Sequence, residues 1–319
     1  CIMKIFIKKL VIFSYMSVVV FAMVCVLSAL PPFRQFFSRI TLSTGYHAGE
    51  METDSVIRAV RQQDSYEKLI VGDCVCKQMF DKLQEDNDTY LMAGNNHALT
   101  MAGEYLLIRE FLENHEDATE VLLLVGPYTL EAEMSALYGY QYFAGPFSKA
   151  GLINELDKET YAEACDTFGR WALNPGVAEL ITNSSVNQKI YLNYLLRRNQ
   201  DKDVLEKGQG KMSGETIRYL PRIKELCDSY GVKLSVLPPP LADTDDMHIQ
   251  MENFALEWEK YGMNEMFPEY FESVRYYPAE RFPDGIHYGN GYERQKLMNE
   301  VIREMYCEQG YMEGIVLSD

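Results

Sequence analysis

Basic side chains are in short supply: 30 Lys and Arg stand against 47 Asp and Glu in 319 residues, a formal net charge of −17. So acidic a surface repels the phosphates of nucleic acids, which excludes nucleic acid as the principal partner. No unit of roughly 20–50 residues recurs, which argues against a solenoid or propeller. Seven cysteines do not make a disulfide scaffold in a chain long enough to bury its own core. The C-x-x-C spacing of thiol redox proteins is missing; Cys74 and Cys76 are separated by a single residue. A metal held there would need two further soft ligands at matching spacing, and none is evident, so neither metal nor cofactor is expected. What is present is globular composition, 47% hydrophobic and 12% aromatic, far from that of a disordered chain.

Acidic residues are missing altogether from the first 40 positions, which carry Lys4, Lys8, Lys9, Arg34 and Arg39. Between the basic clusters lies Leu10–Leu30, 21 residues without a charge. At about 1.5 Å per residue such a helix spans roughly 30 Å, a bilayer core. The run is longer than a usual signal-peptide core, and no small-x-small cleavage site precedes Pro31-Pro32. It is read as an uncleaved signal-anchor, with a cleaved signal peptide and a buried core helix as the alternatives. The three lysines before it predict a cytoplasmic N-terminus and a single-pass protein of the cell membrane with its domain outside. Met3 is read as the first translated residue.

Residues 31–65 read as a stalk and lead-in. From residue 66 an α/β pattern begins. Lys68–Val71, Thr89–Ala93 and Glu120–Val125 are short apolar runs, each closed by a turn, with helical spacing over Val75–Leu83 and Ala98–Leu112 between them. That alternation predicts a parallel sheet covered on both faces, a three-layer α/β sandwich. Residues 129–214 lose the strand signal and read as a helical insertion rich in aromatics. The alternation resumes with a helix over Glu215–Tyr230 and a strand over Val232–Leu237, stopped by three prolines. A short fifth strand over Phe271–Tyr276 and a last helix over Tyr292–Tyr306 end the domain near residue 310, leaving 311–319 as a tail.

Reactive groups in open parallel sheets gather beyond the carboxyl ends of the strands. Cys74 follows the first strand directly and opens a helix, where backbone N–H groups and the helix dipole favour a thiolate; burial as a structural cysteine is the alternative. His287 follows Asp284 by three residues in a glycine-containing loop, a spacing that lets the carboxylate reach the imidazole Nδ1–H and leave Nε2 as a base. His47, His97, His115 and His248 are weaker candidates, His115 and His248 because they sit in charged surface stretches.

Val71-Gly72-Asp73-Cys74 with the helix behind it, Gly94-Asn95-Asn96 after the second strand, and Asp284-Gly285-Ile286-His287 before the last helix together resemble the SGNH (GDSL-type) hydrolase superfamily. The resemblance covers about residues 66–128 and 215–306. It is narrower still to the membrane-anchored subgroup of envelope-polymer acylation, to which the D-alanyl-lipoteichoic-acid transfer protein belongs and which shares the D-x-x-H-x-G sequence seen at Asp284–Gly289. That resemblance implies an esterase or O-acyltransferase working on acyl esters of cell-envelope glycopolymers, often beside a membrane-bound O-acyltransferase. It implies Cys74 as nucleophile, His287 as general base and acid, and Asp284 as the orienting carboxylate. It also implies the Cys74 and Gly94 N–H groups, with the side chain of Asn95 or Asn96, as oxyanion donors. Asp73 instead braces its turn through backbone hydrogen bonds. Two departures stand out: cysteine occupies the family's serine position, and Gly126-Pro127-Tyr128 stands where the family has Gly-x-Asn-Asp. Cysteine accepts acyl groups competently; the alternative is an inactive SGNH-like binding or assembly protein for an exported polysaccharide or an acyltransferase partner. The aromatic run containing Tyr138, Tyr140, Tyr142 and Phe143 is either a platform for sugar rings or the core of the insertion.

Overall fold

The computed structural model describes residues 2–41, 52–136, 138–199, 208–289 and 294–317. Four parallel strands, β1 (Lys68–Gly72), β2 (Tyr90–Gly94), β3 (Glu120–Leu124) and β4 (Lys233–Leu237), form one sheet in the order β2-β1-β3-β4. In register, Gly72 at the end of β1 stands between Gly94 and Leu124. Alternate strand residues feed two separate clusters of buried side chains. Leu69, Val71, Val121 and Leu123 join one; Ile70, Leu122 and Leu124 join the other. Burial of both faces is why these strands read as continuous apolar runs rather than alternating ones.

The N-terminal helix Ile2–Ala29 is long and apolar enough to cross a membrane, and its hydrophobic side chains are exposed over most of its length. Helix Pro31–Thr41 follows it. Helix Glu52–Arg61, expected to be part of a lead-in, belongs to the domain instead: it buries Thr53, Asp54, Ile57 and Val60 and packs on β2 and on helix Thr100–Asn114. Among the described residues of the insertion, the regular structure is all helical. Its helices Lys158–Phe168, Pro175–Thr182 and Ser185–Arg198 begin at Asp157, Asn174 and Ser184, whose side chains accept the first-turn amide hydrogens.

Beyond β4 the chain departs from the simple alternation. The prolines at 238–240 end the strand, and the chain pairs a short β5 (Leu241–Asp243) in parallel with β6 (Tyr276–Pro278), making a second, two-stranded sheet. The expected fifth strand over Phe271–Tyr276 is thus displaced and does not join the main sheet. A 16-residue helix, Asp245–Lys260, stands between β5 and β6. Residues of the tail pack on the domain. Met312 is buried in the second cluster, Val316 N–H donates to Asn87 Oδ1 at 2.8 Å, and Glu313 N–H donates to Tyr90 Oη at 3.1 Å.

Candidate active site

At the carboxyl end of β1 the chain must turn sharply beneath β3. A Cβ on Gly72 would lie 1.9 Å from the Leu124 carbonyl oxygen, so only glycine permits this approach. Asp73 then caps helix Cys74–Phe80, its Oδ1 accepting from the N–H groups of Val75 (2.9 Å) and Cys76 (3.3 Å). Its Oδ2 accepts from Gly126 N–H and the Thr129 hydroxyl, both at 2.8 Å. The buried carboxylate therefore clamps the β1 turn to the β3 turn, the bracing role expected of it. These bonds also engage the Val75 and Cys76 amides.

Cys74 is half-buried in the wall of a crevice that Asp73, Val75, Gly126–Tyr128, Pro239–Ala242, Met247, Gly285 and Ile286 also line. Of the lining side chains only Asp73 carries a charge, and it faces its own four donors. Cys76 points into the second core cluster, where burial, with the charges of Asp73 and Glu104, pushes its thiol well up. That protonated, enclosed thiol does not suit a redox partnership with Cys74. Among the described residues, no disulfide involves any of the six cysteines.

In the loop over 284–287, Asp284 Oδ2 lies 2.7 Å from His287 Nδ1, and Oδ1 accepts the backbone N–H groups of Ile286 (3.0 Å) and His287 (2.8 Å). Burial opposes ionisation of Asp284, but those N–H groups and the imidazole outweigh it and hold the carboxyl at about 2. An ionised carboxylate only accepts, so Nδ1 carries the proton and neutral His287 keeps a lone pair on Nε2. Gly285, at φ +77°, makes the turn possible. Gly285 and Ile286 line the same crevice as Cys74. The loop is tied to the cysteine's own helix, with Gln78 Nε2 donating to the Tyr288 carbonyl at 2.9 Å and Tyr288 buried against Phe282 and Tyr277.

Gly94 serves packing. A Cβ there would meet the Lys77 backbone at 2.4 Å, so glycine lets β2 lie against the second turn of helix Cys74–Phe80. The Asn95 side chain is buried; its Oδ1 takes the Asn96 N–H (2.8 Å) and the Thr53 hydroxyl (3.3 Å), while its Nδ2 has no acceptor among the described residues. Asn96 folds back on its own loop, accepting from Ala98 N–H at 3.0 Å. Of the two, Asn95 holds the donor still to be satisfied. The loop ends at Thr100, a β-branched residue at φ +60°, held there by a 2.5 Å hydrogen bond to buried Glu215.

The aromatic run divides. Tyr140 and Phe143 are fully buried, Tyr140 donating to the Ala172 carbonyl at 3.1 Å and Phe143 packing on Phe147. They are core of the insertion and offer no face to a sugar, which corrects half of the expected platform. Tyr138 is exposed and Tyr142 half-buried. Burial comes first in raising the Tyr142 hydroxyl, with Glu52, Tyr138 and Cys74 adding to it. Burial likewise raises Tyr128, with Glu131 and Asp284 contributing. His115 is not on the surface; it is buried, bonded to the Phe111 carbonyl and to Asp64. His47 and the His97 side chain lie outside the described residues. A second Asp–His pair, His248 Nε2 to Asp243 Oδ1 at 2.8 Å, adjoins the lining residues Ala242 and Met247 in sequence. It was legible in sequence only as charged surface. No family model, curated protein or solved structure matches the chain.

Proposed function

We propose that this chain is a membrane-anchored, extracytoplasmic SGNH-like esterase or O-acyltransferase that transfers acyl groups of cell-envelope glycopolymers through a thioester on Cys74. The sheet with two buried faces is then the central layer of the SGNH three-layer sandwich. The observation that carries the reading is the Asp284–His287 pair on a loop whose residues share a crevice with Cys74. A protein that only binds has no use for an imidazole oriented through Nδ1 and left basic at Nε2. In the reaction the Cys74 sulfur attacks the ester carbonyl while Nε2 of His287 takes the thiol proton. The tetrahedral oxyanion collapses, the carbon–oxygen bond to the alcohol breaks, and His287 returns the proton to the leaving oxygen. Water or an acceptor hydroxyl then repeats the step on the thioester. The Cys74 N–H and Asn95 Nδ2 are the donors this reading assigns to the oxyanion.

Incubation with an activated acetyl ester, followed by intact-mass and peptide analysis, tests the proposal. The expected result is an acetyl adduct on Cys74 that turns over and is lost in both His287→Ala and Cys74→Ala, while His248→Gln retains it. An adduct indifferent to His287, or turnover appearing only in Cys74→Ser, would shift the assignment to an inactive binding protein.

A further inference from the structure

We infer that the face of the helical insertion carrying Trp171, Leu180, Ile190 and Tyr194 rests in the headgroup layer of the membrane that helix Ile2–Ala29 enters, with anionic phospholipid as its partner. The inference rests on reading that helix as a membrane span. The last turn of the span is clasped by the insertion: Ser28 is buried, its hydroxyl 2.5 Å from that of Ser184, and Asn187 Nδ2 donates to the Cys25 carbonyl at 3.0 Å. The same Nδ2 donates to the Leu180 carbonyl at 2.9 Å, so Leu180 stands beside the point where the span ends.

Positions 187, 190, 191 and 194 share one face of helix Ser185–Arg198. Asn187 touches the span, and Ile190 and Tyr194 continue that face outward, 43% and 44% exposed. Trp171, 53% exposed, packs edge-on to Tyr191 at 5.3 Å and lies 6.4 Å from Tyr194. An apolar stripe ending in Trp and Tyr next to a membrane span suits the interface, where such rings keep an apolar body and a polar tip.

Charge points to the same partner. In a chain of net charge −17, residues 170–198 hold Arg170, Lys189, Arg197 and Arg198 against the single acid Glu179. Helix Pro31–Thr41 packs against helix Ser185–Arg198, adds Arg34 and Arg39 without any acid, and exposes Phe33 and Phe36. An acidic protein thus turns its basic, aromatic side toward the base of its own anchor. Basic residues at that level attract anionic headgroups.

The test uses the full chain reconstituted in vesicles of phosphatidylcholine and phosphatidylglycerol. The protein has two tryptophans, and Trp258 is fully buried, so the parent signal minus that of Trp171→Phe isolates Trp171. Lipids brominated high on the acyl chain are expected to quench the Trp171 component to about half or less, and aqueous iodide to leave it nearly unchanged. K189E/R197E/R198E is expected to weaken the bromolipid quenching. Iodide quenching without bromolipid quenching would overturn the inference, as would quenching by neither, the signature of a protein covering the patch. Flotation after a carbonate wash reports the span separately. Protein that floats while Trp171 meets iodide refutes only the docked face; protein that washes off refutes the anchor as well.

Discussion

Asp73 sits where the β1 and β3 turns meet, and both of its oxygens are committed to holding them. Asp73→Asn replaces one acceptor by an amide that faces donors, and is expected to cost about 2–4 kcal/mol in urea unfolding. Asp284 works differently, by fixing a tautomer. Asp284→Asn keeps the shape but no longer demands the Nδ1 proton, and is expected to slow acyl-adduct formation on the order of 100-fold or more, with little change in melting temperature. Glu215 gives a pH signature. Burial pushes its carboxyl up to about 7 against the hydrogen bond from Thr100. The folded state keeps the proton while the unfolded chain releases it near 4.5, so this group's contribution is complete below about 4.5 and is lost as pH rises to about 7. Stability measured across that window is expected to fall more steeply in the parent than in Glu215→Gln, by on the order of 2–3 kcal/mol in total. At this scale the sequence displayed the Asp284–His287 pair because its spacing is local. Exposure was hidden: Tyr138 and Tyr140 look alike in sequence, yet one is open and the other lies in the core.

Whole elements were legible where burial is apolar and illegible where it is polar. The four strands of the main sheet stand where continuous runs of Leu, Ile and Val predicted them, because both their faces are buried. Helix Glu52–Arg61 escaped notice because its inner face includes Thr53 and Asp54, which are buried through Tyr142 and Lys149. Helix Asp245–Lys260 was missed for a similar reason, since Gln250 interrupts its apolar stripe and is buried by bonding to Glu131. Gly94 tests the packing of helix Cys74–Phe80 on β2. Gly94→Ala places a methyl against the Lys77 backbone, which has no flexible side chain to yield. It is expected to cost about 1–3 kcal/mol and to reduce acylation by shifting the helix that carries Cys74. The tail gives a second test: truncation after residue 310 removes Met312 and leaves buried Asn87 without Val316, with an expected loss of about 2–4 kcal/mol in thermal or urea unfolding.

At the scale of the molecule, an apolar helix, an acidic α/β body and a basic stretch of the helical insertion, residues 170–198, occupy distinct parts of one chain. Composition alone displayed the first two. The third was masked because its positive residues are few, and only folding gathers them beside the end of helix Ile2–Ala29, near Arg34 and Arg39. If helix Ile2–Ala29 crosses a bilayer as proposed, its clasp to the insertion through Ser28, Ser184, Asn187 and Cys25 makes it a mount rather than a leash. A leashed domain would sweep a hemisphere and sample every azimuth. A mounted one holds its crevice at one altitude and one bearing, and tumbles only as fast as the helix can spin in its bilayer. Encounter with anything carried in that bilayer then becomes a search in two dimensions, timed by lateral drift and governed by molecules per unit area.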